Sequence, residues 1–159
     1  MKRFFLALLT LPLTLLLMAC SEPDYHTLDG NHGDFADLRG RHILINYWAA
    51  WCKPCISELP ELNRFAAAHG DRVAVFAINY DGIDETLLRQ QVSELNIAFP
   101  VLLADPAEQL GYQRPQVLPT TVVIGPDGAV LELLQGPQTE ASLAAAVGFE
   151  LPADDEVLP

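Results

Sequence analysis

The chain has 159 residues, half of them hydrophobic and 19% charged, a balance that suits one ordered globular domain with extra sequence at its ends and excludes a wholly disordered protein. Nine basic residues stand against 21 acidic ones, for a net charge of −12. So acidic a chain is not drawn electrostatically to nucleic acid or to an anionic membrane surface.

The first residues stand apart. Lys2-Arg3 precede an uncharged, leucine-rich run over residues 4–19, which is the layout of a secretory signal peptide. A membrane-spanning helix is the alternative, but the run falls short of the usual span of about 20 residues and contains Pro12. It ends Leu17-Met18-Ala19-Cys20. This resembles the processing box of bacterial lipoproteins, in which a small residue precedes a cysteine that is lipidated and becomes the mature N-terminus. The expectation is therefore a signal peptide over 1–19 and lipidation at Cys20, against the alternative of a free or intermolecularly paired thiol. Loss of Lys2 and Arg3 leaves 7 basic against 21 acidic residues, a net charge of −14. Attachment to a membrane would then have to come from acyl chains, and from more than one. With Ser21 next, the sorting rules of such lipoproteins allow the outer membrane.

Residues 20–33 are polar and turn-rich and read as a lipid-anchored tether, with a short strand at Tyr25–Leu28. The domain proper runs over 34–149. Ile43–Trp48 is a β-branched and aromatic strand. Ile56, Leu59, Leu62, Phe65 and Ala66 recur at helical spacing, so a helix follows the cysteines and stops before Gly70. Val73–Ile78 is a second buried strand. Asp84 caps a helix that turns Leu88, Val92 and Leu95 inward. Phe99–Leu103 is a short strand, and Asp105-Pro106 starts another helical turn. Thr120–Ile124 and Ala129–Leu134 are strands joined by the turn Gly125-Pro126-Asp127-Gly128. Thr139 caps a last helix over Ala141–Val147, and residues 150–159, with Asp154-Asp155-Glu156 between prolines, form an acidic flexible tail. Strands alternating with helices, then a hairpin and a helix, predict an α/β sandwich around a central mixed sheet.

The chemistry sits in Trp51-Cys52-Lys53-Pro54-Cys55. Disulfide exchange needs an attacking thiolate and a second thiol close enough to resolve the mixed disulfide. At a helix start, Cys52 receives the free N–H groups and the macrodipole, with Lys53 beside it; both favour the thiolate and pull its pKa below the free value of about 8.5. Cys55, one turn in, is the more shielded, resolving thiol. Pro54 lies where a missing N–H costs nothing. Two alternatives are weaker. A zinc knuckle needs four ligands, and no second cysteine pair is present; a purely structural staple across so short a loop constrains little. His26, His32, His42 and His69 have no ligand spacing and read as surface or structural residues. No metal or cofactor is expected.

The stretch Ile45-Asn46-Tyr47-Trp48-Ala49-Ala50-Trp51-Cys52-Lys53-Pro54-Cys55 resembles the active-site strand and turn of thioredoxins, and Val117-Leu118-Pro119-Thr120-Thr121 resembles their cis-proline loop. Within that superfamily the chain is most similar to the TlpA-like, membrane-attached disulfide reductases of bacterial envelopes. Three features carry the resemblance: a longer stretch between Cys52 and Pro119, matching that group's insert between the CxxC helix and the cis-Pro loop; the continuation Cys55-Ile56-Ser57-Glu58-Leu59-Pro60; and Asn46 where thioredoxins bury an aspartate. The resemblance implies a thioredoxin-like fold and reduction of disulfides in exported proteins, with re-reduction by a membrane electron donor and a monomeric, periplasm-facing state. Asn46 cannot titrate, so Glu58, three residues beyond Cys55 on the same helix face, is the expected proton acceptor; it is expected to keep solvent contact. Pro119 would face the sulfurs and leave the Leu118 backbone to pair with a substrate strand. Trp51 is expected as a partly exposed wall and Trp48 as core. Two alternatives remain: a dithiol oxidant on the same scaffold, and a copper chaperone, whose family uses Cys-x-x-x-Cys and a distant histidine rather than the spacing found here.

Overall fold

A computed structural model describes residues 22–150; the leader, Cys20 and the tail over 151–159 lie outside them. The chain order is β1 (Tyr25–His26), β2 (His32–Gly33), a 3-10 turn (Phe35–Leu38), β3 (His42–Trp48), α1 (Lys53–His69), β4 (Val73–Asn79), α2 (Glu85–Glu94), β5 (Val101–Leu102), β6 (Thr120–Ile124), β7 (Val130–Gln135) and α3 (Glu140–Ala146). Five strands form one mixed sheet in the order β5-β4-β3-β6-β7. The two most apolar runs, β3 and β4, lie side by side and parallel, and β6 pairs antiparallel on the other side of β3. This is the α/β sandwich around a mixed sheet that the element pattern predicts, and the thioredoxin-like fold that the resemblance implies.

Alternation along β3 divides the core. Leu44 and Trp48 join the cluster under α1 and α3, which also holds Cys52 and Cys55; Ile43, Ile45 and Tyr47 fill the opposite cluster with Phe76, Val122 and Ile124. Asn46 therefore faces α1, the one fully buried polar position on that stripe of β3; His42, at the strand's start, is half-buried. Its neighbours in register are Ala77 on β4 and Thr121 on β6.

The helix ends follow local chemistry. Asp84 Oδ1 accepts from the N–H groups of Thr86 and Leu87. Thr139 and Ser142 form a reciprocal capping box, and α1 stops at Gly70 as expected. Two expectations need correction. The tether reading fails from Asp24 onward: β1 and β2 make a hairpin, Leu28 is buried, and its N–H donates to the Val101 carbonyl at 2.8 Å. Tyr25 anchors this hairpin against Phe35 and Phe76. The strand predicted over Phe99–Leu103 contracts to two residues. The helical turn expected from Asp105 is a run of turns over 107–111, in which the Leu110 N–H donates to the Pro106 carbonyl.

Candidate functional site

β3 ends at Trp48 in the sheet, and a short turn delivers Cys52 to the start of α1. Cys52 is the N-cap of that helix; its Sγ accepts from the Cys55 N–H at 3.3 Å. A sulfur in this position occupies the place where capping oxygens satisfy free N–H donors, so its negative form is favoured by the same geometry. The two cysteines form a disulfide. Cys55 is 0% exposed and Cys52 4%, so Cys52 is less open in the disulfide form than the sequence suggests, though still the more accessible of the two. Lys53 and Pro54 beside it are exposed.

The rim is apolar on two sides. Trp51 is 66% exposed, and its indole N–H donates to Asp81 Oδ2 at 2.9 Å. Trp48, by contrast, is fully buried. In the loop before β6 the Leu118–Pro119 bond is cis; Pro119 is buried, Leu118 packs against the cluster that holds both cysteines, and Val117 is exposed. Thr120 Oγ1 donates to the Val117 carbonyl, and the Gly136 N–H donates to the Pro119 carbonyl, which fixes this loop on β6 and β7.

One turn beyond Cys55 on α1 lies Glu58. It is 1% exposed, which corrects the expectation of retained solvent contact: it faces the sheet, not the helix exterior. Its Oε1 accepts from Asn46 Nδ2 at 2.8 Å and its Oε2 from the Gln138 N–H at 2.7 Å. Asn46 Nδ2 also donates to Thr121 Oγ1 at 3.0 Å. Burial pushes the Glu58 carboxyl up to about 7, against the two hydrogen bonds that stabilise its ionised form. A buried carboxyl whose protonation changes near neutrality thus lies one helical turn beyond Cys55.

Thr121, Gln138 and Asp81 were not identified from sequence. Thr121 sits two residues after Pro119 on the face of β6 that meets Asn46, a signal that strand register could have given. Gln138 acts through its backbone and leaves no signature. The histidines stay away from the sulfurs: His42 and His69 pack on Phe149, and His26 lies beside His32 on the hairpin.

Fold and site together define a thioredoxin-fold protein with a dithiol–disulfide centre. Residues 18–132 match the AhpC/TSA family, and the chain belongs to it. Among relatives, the thiol-disulfide oxidoreductase ResA of Bacillus anthracis is 31% identical over 73% of this chain and 67% of its own length. The thioredoxin-like protein YneN of Bacillus subtilis (strain 168) is 28% identical over 76% of this chain and 73% of its own. Among solved structures, a thiol:disulfide interchange protein of the thioredoxin family from Chlorobium tepidum TLS superposes with a TM-score of 0.62 at 26% identity, covering 82% of this chain and 97% of that one.

Proposed function

We propose that this thiol–disulfide oxidoreductase works as a reductant of disulfides in exported proteins, in the manner of the TlpA-like group. The observation that carries the reading is the Cys52–Cys55 disulfide at the start of α1, with the buried, near-neutral carboxyl of Glu58 one helical turn further on. In the reduced protein, the Cys52 thiolate attacks one sulfur of a substrate disulfide, and the other substrate sulfur leaves as a thiolate. Cys55 passes its proton to Glu58 and attacks Cys52 Sγ, which releases the second substrate thiolate and leaves Cys52–Cys55 oxidised. Two electrons move to the substrate. A membrane electron donor returns them. Trp51, Val117 and Leu118 form the apolar border against which an extended substrate segment lies.

Direction is tested by equilibrating the pair with glutathione buffers and quantifying the disulfide. A reductant should poise near thioredoxin's value of about −270 mV; a value near the −120 mV or so of a strong oxidant would reverse the assignment.

The same reading puts the protein in the cell envelope as a monomer, cleaved after residue 19 and held by acyl chains on Cys20 at the outer membrane. The folded part then begins near Asp24, which leaves only a few residues between lipid and domain. Cys20→Ser should move the protein from the membrane fraction to the soluble one. Wild-type protein that is soluble after lysis and carries no acyl mass on its N-terminal peptide would refute the anchor.

A further inference from the structure

We infer that Arg114 is a positioning residue of this site, which straps the loop before the cis-proline to the turn that holds Trp51 and so fixes both borders of the substrate path for an extended polypeptide. The inference rests on the reading of the Leu118 backbone as partner to a substrate strand. It begins from a loop with little of its own to hold it. Residues 103–119, between β5 and β6, form no helix or strand. Within them, residues 113–118 make no backbone–backbone hydrogen bond, and Pro115 has no N–H to give. That leaves the Leu118 backbone open to a substrate, as strand addition requires. It also leaves the loop to be held by side chains.

Arg114 supplies three such holds. Its Nε pairs with Asp105 Oδ2 at 3.0 Å, its Nη2 donates to the Tyr80 carbonyl, and its guanidinium lies 4.0 Å from the centre of the Tyr80 ring. Both ends of the strap are firmly placed. Asp105 Oδ1 accepts from the Tyr47 hydroxyl at 2.6 Å and from the Ala107 N–H at 3.0 Å, and Tyr47 is fully buried on β3. The Tyr80 N–H donates to the Trp48 carbonyl at 2.8 Å, and the next residue, Asp81, accepts the Trp51 indole N–H. One cation therefore joins the loop of Leu118 to the turn that holds Trp51. A planar guanidinium meets a carboxylate, a carbonyl and a ring face at once, which a lysine ammonium cannot.

The reach of the strap decides which substrates feel it. The polar and ring contacts of the Arg114 side chain are to Asp105 and Tyr80, not to either cysteine. A small disulfide needs only access to the sulfur. A polypeptide must also lay its backbone along Leu118 and against Trp51, so it binds fully only where the two borders keep their spacing. Loss of Arg114 should weaken the polypeptide's ground state and transition state alike, which raises the half-saturating concentration and leaves the limiting rate. The side chain is 43% exposed, and Asp105 keeps the Tyr47 hydroxyl and the Ala107 N–H without it, so the fold should persist.

The test compares prereduced wild type, Arg114→Met and Arg114→Lys in single-turnover reduction of insulin, a polypeptide disulfide, and of bis(2-hydroxyethyl) disulfide, a small one. Arg114→Met should need about tenfold more insulin for half-saturation at an unchanged limiting rate, and should stay within about twofold of wild type on the small disulfide. Arg114→Lys keeps the charge but not the fork, and should behave like Arg114→Met. Full recovery by lysine would mean that charge alone attracts the substrate, and would overturn the inference. So would equal losses with both disulfides, or no loss with either. If wild type reduces neither disulfide, the reductant reading fails. The same three proteins, oxidised and mixed with a reduced dithiol peptide or with dithiothreitol, then decide the role of Arg114 by the same selectivity.

Discussion

Mixed with an oxidised protein substrate, the Cys55→Ser variant should accumulate a covalent heterodimer, and Cys52→Ser should form none. The asymmetry comes from position. Cys52 caps α1, accepts the Cys55 N–H, and lies among exposed Trp51, Lys53 and Pro54. Cys55 is one turn in and fully buried. Attack from outside therefore involves Cys52, and release requires Cys55, which acts at an effective concentration far above that of any thiol in solution. Removing Cys55 stops the reaction at the mixed disulfide; removing Cys52 stops it before that. Catalysed turnover should fall to the uncatalysed background in both variants. Non-reducing electrophoresis with intact-mass analysis distinguishes them, and heterodimer formed by Cys52→Ser would exchange the two roles.

The second large effect is expected at Glu58. Glu58→Gln keeps size and polarity but accepts no proton from Cys55. General-base assistance is typically worth 10²–10⁴-fold; if the transfer runs through a water, about 10²-fold slower resolution is expected. The wild-type rate should rise through a midpoint of about 7, and the variant should lack that limb. Stability should change with pH as well. In the unfolded chain the carboxyl ionises around 4.5, whereas burial holds it protonated in the folded state up to about 7. Below pH 4.5 both states are protonated and nothing is lost. Between pH 4.5 and 7 the unfolded state alone releases its proton, so wild-type stability falls, by up to about 3 kcal/mol, and levels off above 7. Glu58→Gln should be flat across that window. Urea unfolding of both proteins at pH 5 and pH 8 measures the difference; parallel losses would mean that Glu58 is not the buried acid of the site.

What could be read in advance depended on distance along the chain. The strand before the cysteines, the helix after them and the turn at Gly125–Gly128 are written in contiguous residues, and the two motifs carry the disulfide and the proline loop. The environment of Glu58 was not legible in the same way. A glutamate in the second turn of a helix ordinarily faces water, and its burial depends on Asn46 across the sheet and on a backbone N–H contributed 80 residues later. The residues over 24–33 were misread for a related reason. They are polar and turn-rich, as a tether would be, but Tyr25 and Leu28 find apolar partners only once Phe35, Phe76 and Val101 are assembled. The turn expected after Asp105 is held by tertiary contacts. Asp105 accepts from the buried Tyr47 hydroxyl at 2.6 Å and pairs with Arg114, and these contacts hold that stretch as turns against the sheet.

The central claim, that Cys52 is the attacking sulfur and Cys55 the resolving one, is tested most directly by limited alkylation. Fully reduced wild-type protein is exposed to a small amount of iodoacetamide at pH 7, and modified peptides are quantified by mass spectrometry as the reaction proceeds. The helix-capping position predicts that Cys52 is modified first and Cys55 only slowly. Label that appears first on Cys55, or equally on both, would contradict it.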